Sequence, residues 1–348
     1  MKRLFDWVLA ILTAPMFVGC GAAAAIAGAF NAPLAGTFYA FELIIGTYSI
    51  AGLVPVAACA LAATIVVRTL VGNAYMLDVG TAQAFGPDYA HAIMMGAGCA
   101  VIGIALMYGV TLIELLWRQL KVPMNARPIL GGLATGGLAL ISPQVLSAGH
   151  GALHTDLVSN FPIDHIALLF ALKTLAAIIC IGSAFRGGLF FASLFLGALA
   201  GLLYADATLH SGLLQPIAPE LAAIIGMAAL AATIVGGPMT MTMLVLELTG
   251  DFSVTISALV AVCIASLIVR RTFGFSFATW RFHMRGESIR SAHDVGWLRQ
   301  LTVGRLMRKD LTMVESQTPI ANGATIGETP LQNLGPVARA ALQAGRRL

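Results

Sequence analysis

Charge is what this chain lacks most. Only 10% of its 348 residues are Asp, Glu, Lys or Arg, while 58% are hydrophobic; soluble domains carry about a quarter charged residues. Uncharged runs cover residues 7–41, 43–67, 89–113, 128–155, 187–205, 221–246 and 252–269. A span needs roughly 20 apolar residues, so most of these runs are long enough to cross a bilayer, and the longer ones hold two helices or a bent one. Cysteine is scarce as well. The five cysteines, Cys20, Cys59, Cys99, Cys180 and Cys263, stand singly in apolar runs, a spacing that excludes a disulfide framework or a thiolate metal site. They are expected as small core residues. His150 and His154 are four apart, but they flank a Gly-rich GHGALH stretch with no third ligand nearby, so a metal is not expected. No basic patch interleaved with aromatics is present, which removes nucleic acid as a partner. No residue set points to an enzyme or to a cofactor.

What the chain does have is an internal repeat. Residues 21–43 read GAAAAIAGAFNAPLAGTFYAFEL and residues 226–248 read GMAALAATIVGGPMTMTMLVLEL. Without a gap, 8 of the 23 positions are identical, among them Pro33/Pro238, Thr37/Thr242, Glu42/Glu247 and Leu43/Leu248. Shared Pro, Thr and Glu are not composition effects. Two related halves in an apolar chain imply an inverted-repeat membrane protein, with the transported species held between the repeats. Glu42 and Glu247 are then expected on either side of a pseudo-two-fold axis, with Pro33 and Pro238 at matching helix starts.

Glycine and proline interrupt the apolar runs at residues 28–36, 182–188 and 236–238. Broken helices persist in lipid only where protein or a watery cavity shelters the freed backbone groups, which favours a transporter or channel over a simple anchor. Gly132/Gly136 and Gly197/Gly201 make small-xxx-small faces for close helix packing. Nine cations from Arg270 to Lys309 follow the last apolar run and place the C-terminal end in the cytoplasm. Arg118, Lys121 and Arg127 flank another break, read as a second cytoplasmic loop. Lys2, Arg3 and the Phe17-Val18-Gly19-Cys20 string resemble a lipoprotein signal, but the sequence stays apolar past the cysteine, which argues against one.

The break at Gly182 to Arg186, followed by Gly187-Gly188-Leu189-Phe190, carries the most chemistry. A helix that starts inside the membrane presents free N–H groups and about half a positive charge at its N-terminus. Two glycines let an anion approach those amides closely. A Gly pair that only packs helices is the alternative. Arg186 either enriches anions near that start or snorkels from a loop. Glu42 and Glu247 are the possible proton or ion pathway carboxylates, since ionisable groups within spans usually face protein or water. For Glu247 the plainer reading, a helix-end carboxylate accepting from neighbouring backbone amides, is preferred.

CGAAAAIAGAFNAPLAGTFYAFE (20–42), GSAFRGGLFFASLFLGALAG (182–201) and GGPMTMTMLVLELTGDFS (236–253) resemble, in order and spacing, three signatures of the CLC family of chloride channels and chloride–proton antiporters. The likeness runs from near residue 15 to about residue 286. It implies an all-α polytopic membrane fold of two inverted-topology halves, a homodimer with one pore per subunit, chloride or a similar small anion as substrate, and anion-binding amides at the residues matching Leu189 and Phe190. It also implies a bacterial inner-membrane location. Departures are informative. Leu43 stands where proton-coupled members carry the inner proton-transfer glutamate, so channel-like transport is expected unless Glu42 takes that role. Ala278 stands where many members place an anion-coordinating tyrosine hydroxyl, which implies a wider, more hydrated inner side. Arg186 replaces the commoner proline.

Symmetry also implies that the first repeat is incomplete. Gly187 precedes Gly226 by 39 residues, and the matching start would fall ahead of Met1. The family's GSGIP and GREGP strings, expected in that region, do not occur. The organisation expected is a CLC-like membrane region over 1–286 (remainder of the first half 1–120, second half 121–286), a cytoplasmic linker and CBS-like opening over 287–321, and a disordered, Ala/Gly-rich tail over 322–348. Two functions follow: channel-like chloride transport, or a transport-inactive fragment that partners an intact subunit. Alone, the chain is expected to move chloride no faster than protein-free vesicles, because one helix terminus returns too little of an anion's dehydration cost.

Overall fold

Backbone N–H and C=O groups in lipid must be satisfied within the chain, and every regular element among the described residues is helical. The computed structural model describes residues 14–72, 88–146, 162–185, 189–211 and 215–274, all inside one compact unit spanning residues 1–296. In order, the helices are α1 (Ala14–Phe30), α2 (Pro33–Tyr39) running into a π-helical turn (Ala40–Ile45), α3 (Ile50–Leu70), α4 (Asp88–Gln119) and α5 (Arg127–Ile141). A 3-10 turn (Pro143–Leu146), α6 (Ile163–Gly182), α7 (Leu189–Ser211), α8 (Pro219–Val235), α9 (Pro238–Thr249) and α10 (Phe252–Thr272) follow. Among the described residues, five stretches are long and apolar enough to cross a membrane: Ile50–Leu70, Tyr89–Gln119, Ile163–Gly182, Phe190–His210 and Phe252–Thr272. Arg186, Gly187, Gly188, His150, His154, Ala278, the CBS-like segment and the tail lie outside the described residues.

The repeat is larger in space than in sequence. Helices α1, α2 and α3 form one unit, and α8, α9 and α10 form a second with the same order and the same breaks. Both short helices open on proline at the first turn, Pro33 in α2 and Pro238 in α9, where the missing N–H costs nothing. In each, a threonine hydroxyl bonds back to that proline carbonyl: Thr37 to Pro33 at 2.8 Å and Thr242 to Pro238 at 2.9 Å. The residue that ends the preceding helix is left-handed in both, Asn31 at φ 55° and Gly236 at φ 89°. Asparagine tolerates that region better than most side chains. Here the Asn31 side chain is also held, its Oδ1 accepting from Arg68 Nε at 2.6 Å. The third helices begin on side-chain caps, Ser49 for Gly52 N at 3.1 Å and Asp251 for Ser253 N at 2.7 Å.

One residue breaks the symmetry. The first unit continues from Pro33 to Ile45 before its left-handed Gly46, the second from Pro238 to Thr249 before Gly250. The extra residue is absorbed by the π-helical turn. Gly46 N donates five residues back to Phe41 O at 2.9 Å, whereas Gly250 N donates four back to Leu246 O at 2.9 Å.

Packing divides the small residues sharply. Gly197 and Gly201 of α7 lie on the backbone of α8 at Gly226 and Ala222, closer than any Cβ would allow. The Gly197/Gly201 face therefore does what its spacing implies. The Gly132/Gly136 face does not: Gly136 faces open space, and it is Gly131 that meets Ser183 of the α6 end. Cysteine needs a similar correction. Only Cys99 is buried, and Cys263 is exposed. Apolar residues in lipid have no drive to leave the surface, so their type does not report burial.

Helix α6 ends with Ala184 at φ 67°, its N–H on Ile181 O and the Phe185 N–H on Cys180 O, both at 3.1 Å. That closure normally uses glycine. Ala184→Gly should raise stability by about 0.5–1 kcal/mol, relief of left-handed strain outweighing glycine's unfolded-state entropy. The check is the midpoint of thermal unfolding in detergent, with an unchanged or lower midpoint contradicting the strain.

Candidate functional site

The two repeats meet through their carboxylates. Glu42 extends from the π-helical turn to the start of α9, where its Oε1 accepts from Met239 N at 3.0 Å and its Oε2 from Thr240 N at 2.8 Å and Thr240 Oγ1 at 2.6 Å. Glu247, in the last turns of α9, reaches the start of α2, accepting from Leu34 N and Ala35 N, each at 2.8 Å. Residues 34, 35 and 42 map onto 239, 240 and 247 by the repeat offset read from the sequence. The exchange is therefore reciprocal. It makes α2 and α9 antiparallel, as two segments inverted through the membrane must be. Chemically, each carboxylate satisfies N–H groups that a helix start leaves without partners and faces the positive end of its dipole. Among the described residues, no cluster of three or more His, Cys, Asp or Glu could hold a metal.

The second candidate region is the start of helix α7. α6 has ended by Gly182 and α7 begins at Leu189, so the two are separate helices on either side of Arg186, Gly187 and Gly188. The first turn of α7 packs on the α1–α2 junction of the first repeat. Phe190 is 9% exposed, its ring 5.2 Å from Phe30 and 5.7 Å edge-on from Tyr39, and Phe191 stacks on Phe30 at 4.5 Å. Ser193 is buried and donates to the Phe190 carbonyl at 2.7 Å. The start of α7 thus rests on the first repeat, while Gly197 and Gly201 farther along seat the same helix on α8 of the second.

Of the sequence candidates, Glu42 and Glu247 come together as crossed helix caps, Phe190 lies against the first repeat with Leu189 one residue before it, and Arg186, Gly187, Gly188 and Ala278 lie outside the described residues. The α1–α2 aromatics, Phe30 and Tyr39, escaped sequence reasoning. Nothing in their local pattern separates them from lipid-facing aromatics. Only the long-range pairing of α7 with the first repeat singles them out.

Crossed caps, paired broken helices and a helix start against the first repeat are a distinctive set, and residues 9–270 match the family model described as voltage gated chloride channel. The chain belongs to the CLC family. It is 33% identical over 260 residues to the voltage-gated ClC-type chloride channel ClcB of Citrobacter koseri and 30% identical over 260 residues to that of Salmonella typhi. Each alignment covers 73% of this chain and 62% of the relative. A slow cyanobacterial Cl-/H+ antiporter has the same fold at a TM-score of 0.69 and 25% identity, covering 78% of this chain and 66% of that one. A CLC-type fluoride/proton antiporter matches at 0.64 and 20% identity, over 77% and 66%. The CLC chain described here thus spans a little under two thirds of its curated relatives' length.

Proposed function

We propose that this CLC-family chain carries out channel-like transport of chloride or a similar small anion, using amides at the start of α7 as the anion-facing group. The observation that carries the reading is the break between α6 and α7, just ahead of an α7 start that rests on the first repeat. Glycine at 187 and 188 adds no side chain that could keep an anion from the N–H groups of Leu189 and Phe190, and a helix dipole favours negative charge at such a start. Tyr39, edge-on to Phe190, brings a phenol to the same end of α7, a donor of the type that Ala278 cannot supply. Channel-like transport rests on Leu43, which carries no proton, and on Glu42, whose carboxylate oxygens are both occupied by the α9 start.

A second reading is a transport-inactive chain that partners an intact subunit. The exposed face of α1 favours it. Reconstitution into chloride-loaded liposomes separates the two. Saturable efflux that Gly188→Val lowers by about tenfold or more, as expected when a β-branched side chain blocks amide approach and removes one close donor contact, supports the channel. Efflux no faster than from protein-free vesicles supports the partner. Efflux unchanged by Gly188→Val removes the α7 start from the pathway.

A further inference from the structure

Sequence spacing keeps the five cysteines apart, but the fold of the first repeat brings two of them together. Helices α1 and α3 run parallel: Met16 lies against Gly52 near their starts, and Asn31 meets Arg68 near their ends. Between those points the contact is tight. Ala23, Ala27, Val56 and Ala60 are fully buried in one cluster on which Cys20 packs, and a Cβ on Gly28 would lie 3.3 Å from Val67 Cγ2. Cys20 is four residues after Met16 on the α1 side of this contact, and Cys59 is three after Val56 on the α3 side. Gly28 and Val67 are 39 residues apart in the chain, and so are Cys20 and Cys59, about two turns earlier. That register sets the thiols opposite each other, and the two side chains interact directly. No such pair recurs in the second repeat, where Ile225 stands at the position of Cys20 and α8 carries no cysteine. Of the others, Cys99 faces the Gly226 carbonyl at 3.8 Å, Cys180 faces Thr135 Oγ1 at 3.3 Å, and Cys263 is exposed on α10.

We propose that Cys20 and Cys59 are a modification site, a dithiol that closes to a disulfide between α1 and α3 when oxidised from the lipid. The Sγ–Sγ bond forms as both S–H bonds break, and two electrons and two protons leave. Their acceptor is a lipid-soluble two-electron oxidant, the class that includes iodine and quinones. Iodine takes the electrons as two iodide ions, and the protons pass to water. Cys20 is the seventh residue of the 17 in α1 and Cys59 the tenth of the 21 in α3. Neither is near a helix end, which favours an oxidant that dissolves in lipid over one confined to water. A bridge needs Cα atoms within about 7 Å, and small residues such as Ala23, Ala27 and Ala60 let two helix backbones approach that closely. The ring so closed contains α2 and Glu42, so oxidation fastens the segment that exchanges caps with α9. Because the pair lies within one repeat, the inference does not depend on what the chain transports.

The test is iodine oxidation of the full chain in lipid vesicles, followed by unfolding, alkylation of the remaining thiols, cleavage after glutamate and mass spectrometry. Glu42 stands between the two cysteines, so cleavage there separates their peptides unless a disulfide joins them. Linked peptides lacking two hydrogens are expected. Their yield relative to all other pairings should be at least about tenfold above that from a chain unfolded before oxidation, because facing thiols exceed the effective concentration of a flexible loop. Cys20→Ala and Cys59→Ala should each abolish the product, and joint replacement of Cys99, Cys180 and Cys263 by alanine should leave it. Glutathione disulfide, which stays in water, should leave both thiols free for alkylation. The proposal is overturned if iodine yields no linked peptide, if the unfolded chain gives it in equal yield, or if a bridge to another cysteine predominates. Oxidation by glutathione disulfide as fast as by iodine overturns the lipid route.

Discussion

Glu247→Ala should destabilise the folded chain by about 2–4 kcal/mol, and Glu42→Ala by a similar amount. Each change strips two backbone amides at a helix start of their acceptor, and a buried unsatisfied donor costs about 1–3 kcal/mol. The bonds from Leu34 and Met239 lie at the protein surface, so the total is set below the sum of two fully buried losses. Glu42→Ala also strands the Thr240 hydroxyl. Glutamine retains one acceptor oxygen where carboxylate has two, so Glu42→Gln and Glu247→Gln should each lose roughly half as much. The measurement is denaturant or thermal unfolding in detergent, together with chloride efflux. If the alanine variants unfold as readily as wild type, the crossed caps do not hold the repeats together. Stability retained by Glu42→Gln with selective loss of efflux would instead return Glu42 to the ion pathway.

Gly226→Leu should prevent folding of the α7–α8 pair altogether. Overpacked side chains usually cost about 1–3 kcal/mol because neighbours move aside, but here the neighbour is the Gly197 backbone, which cannot choose another rotamer. Gly201→Leu meets Ala222 in the same way. Both variants should be recovered largely aggregated or degraded, with the monodisperse peak on size exclusion in detergent lost. Gly21→Leu, at the repeat-equivalent position, should fold normally, since a Cβ there meets nothing within 4 Å. A well-folded Gly226→Leu chain would show that α7 is not held to α8 by close backbone contact.

Much of the architecture was legible because lipid imposes strict rules on sequence. Four of the long uncharged runs hold helices long enough to span, while runs 7–41, 128–155 and 221–246 hold shorter ones and the span-length Ile163–Gly182 carries Asp164 and Lys173; Pro33 and Pro238 became the helix starts that their ring chemistry favours. The ungapped repeat was the most informative feature. It anticipated the equivalence of Glu42 and Glu247, whereas the reading of Glu247 as taking neighbouring amides needs correction, since its amides, Leu34 and Ala35, lie 213 and 212 residues away. For Glu42, local sequence pointed toward a transport role, because an ionisable group in an apolar run is costly and invites one. Its occupants are amides 197 and 198 residues away. The signal was present nonetheless: two glutamates nine residues after two equivalent prolines cap each other's helices once the segments run antiparallel.

Burial was the least legible property. In water an apolar residue is pushed inside, so residue type reports position. In lipid that force is absent, and Cys263, Ile50 and Leu140 lie exposed while Lys173 is buried, bonding the Val145 carbonyl at 2.8 Å. Which glycines pack was hidden for the same reason, since Gly132/Gly136 and Gly197/Gly201 have equal spacing and opposite surroundings. By itself, then, the sequence determined the membrane class, the helix breaks and the inverted repeat, because apolar length, proline and internal identity are local or self-referential properties. Only the tertiary structure decided which carboxylate meets which helix start, which glycine face is a seat, and that α7 begins against Phe30 and Tyr39 of the other repeat. Those are contacts between segments far apart in the chain, set by antiparallel pairing and close packing that no short window of residues encodes.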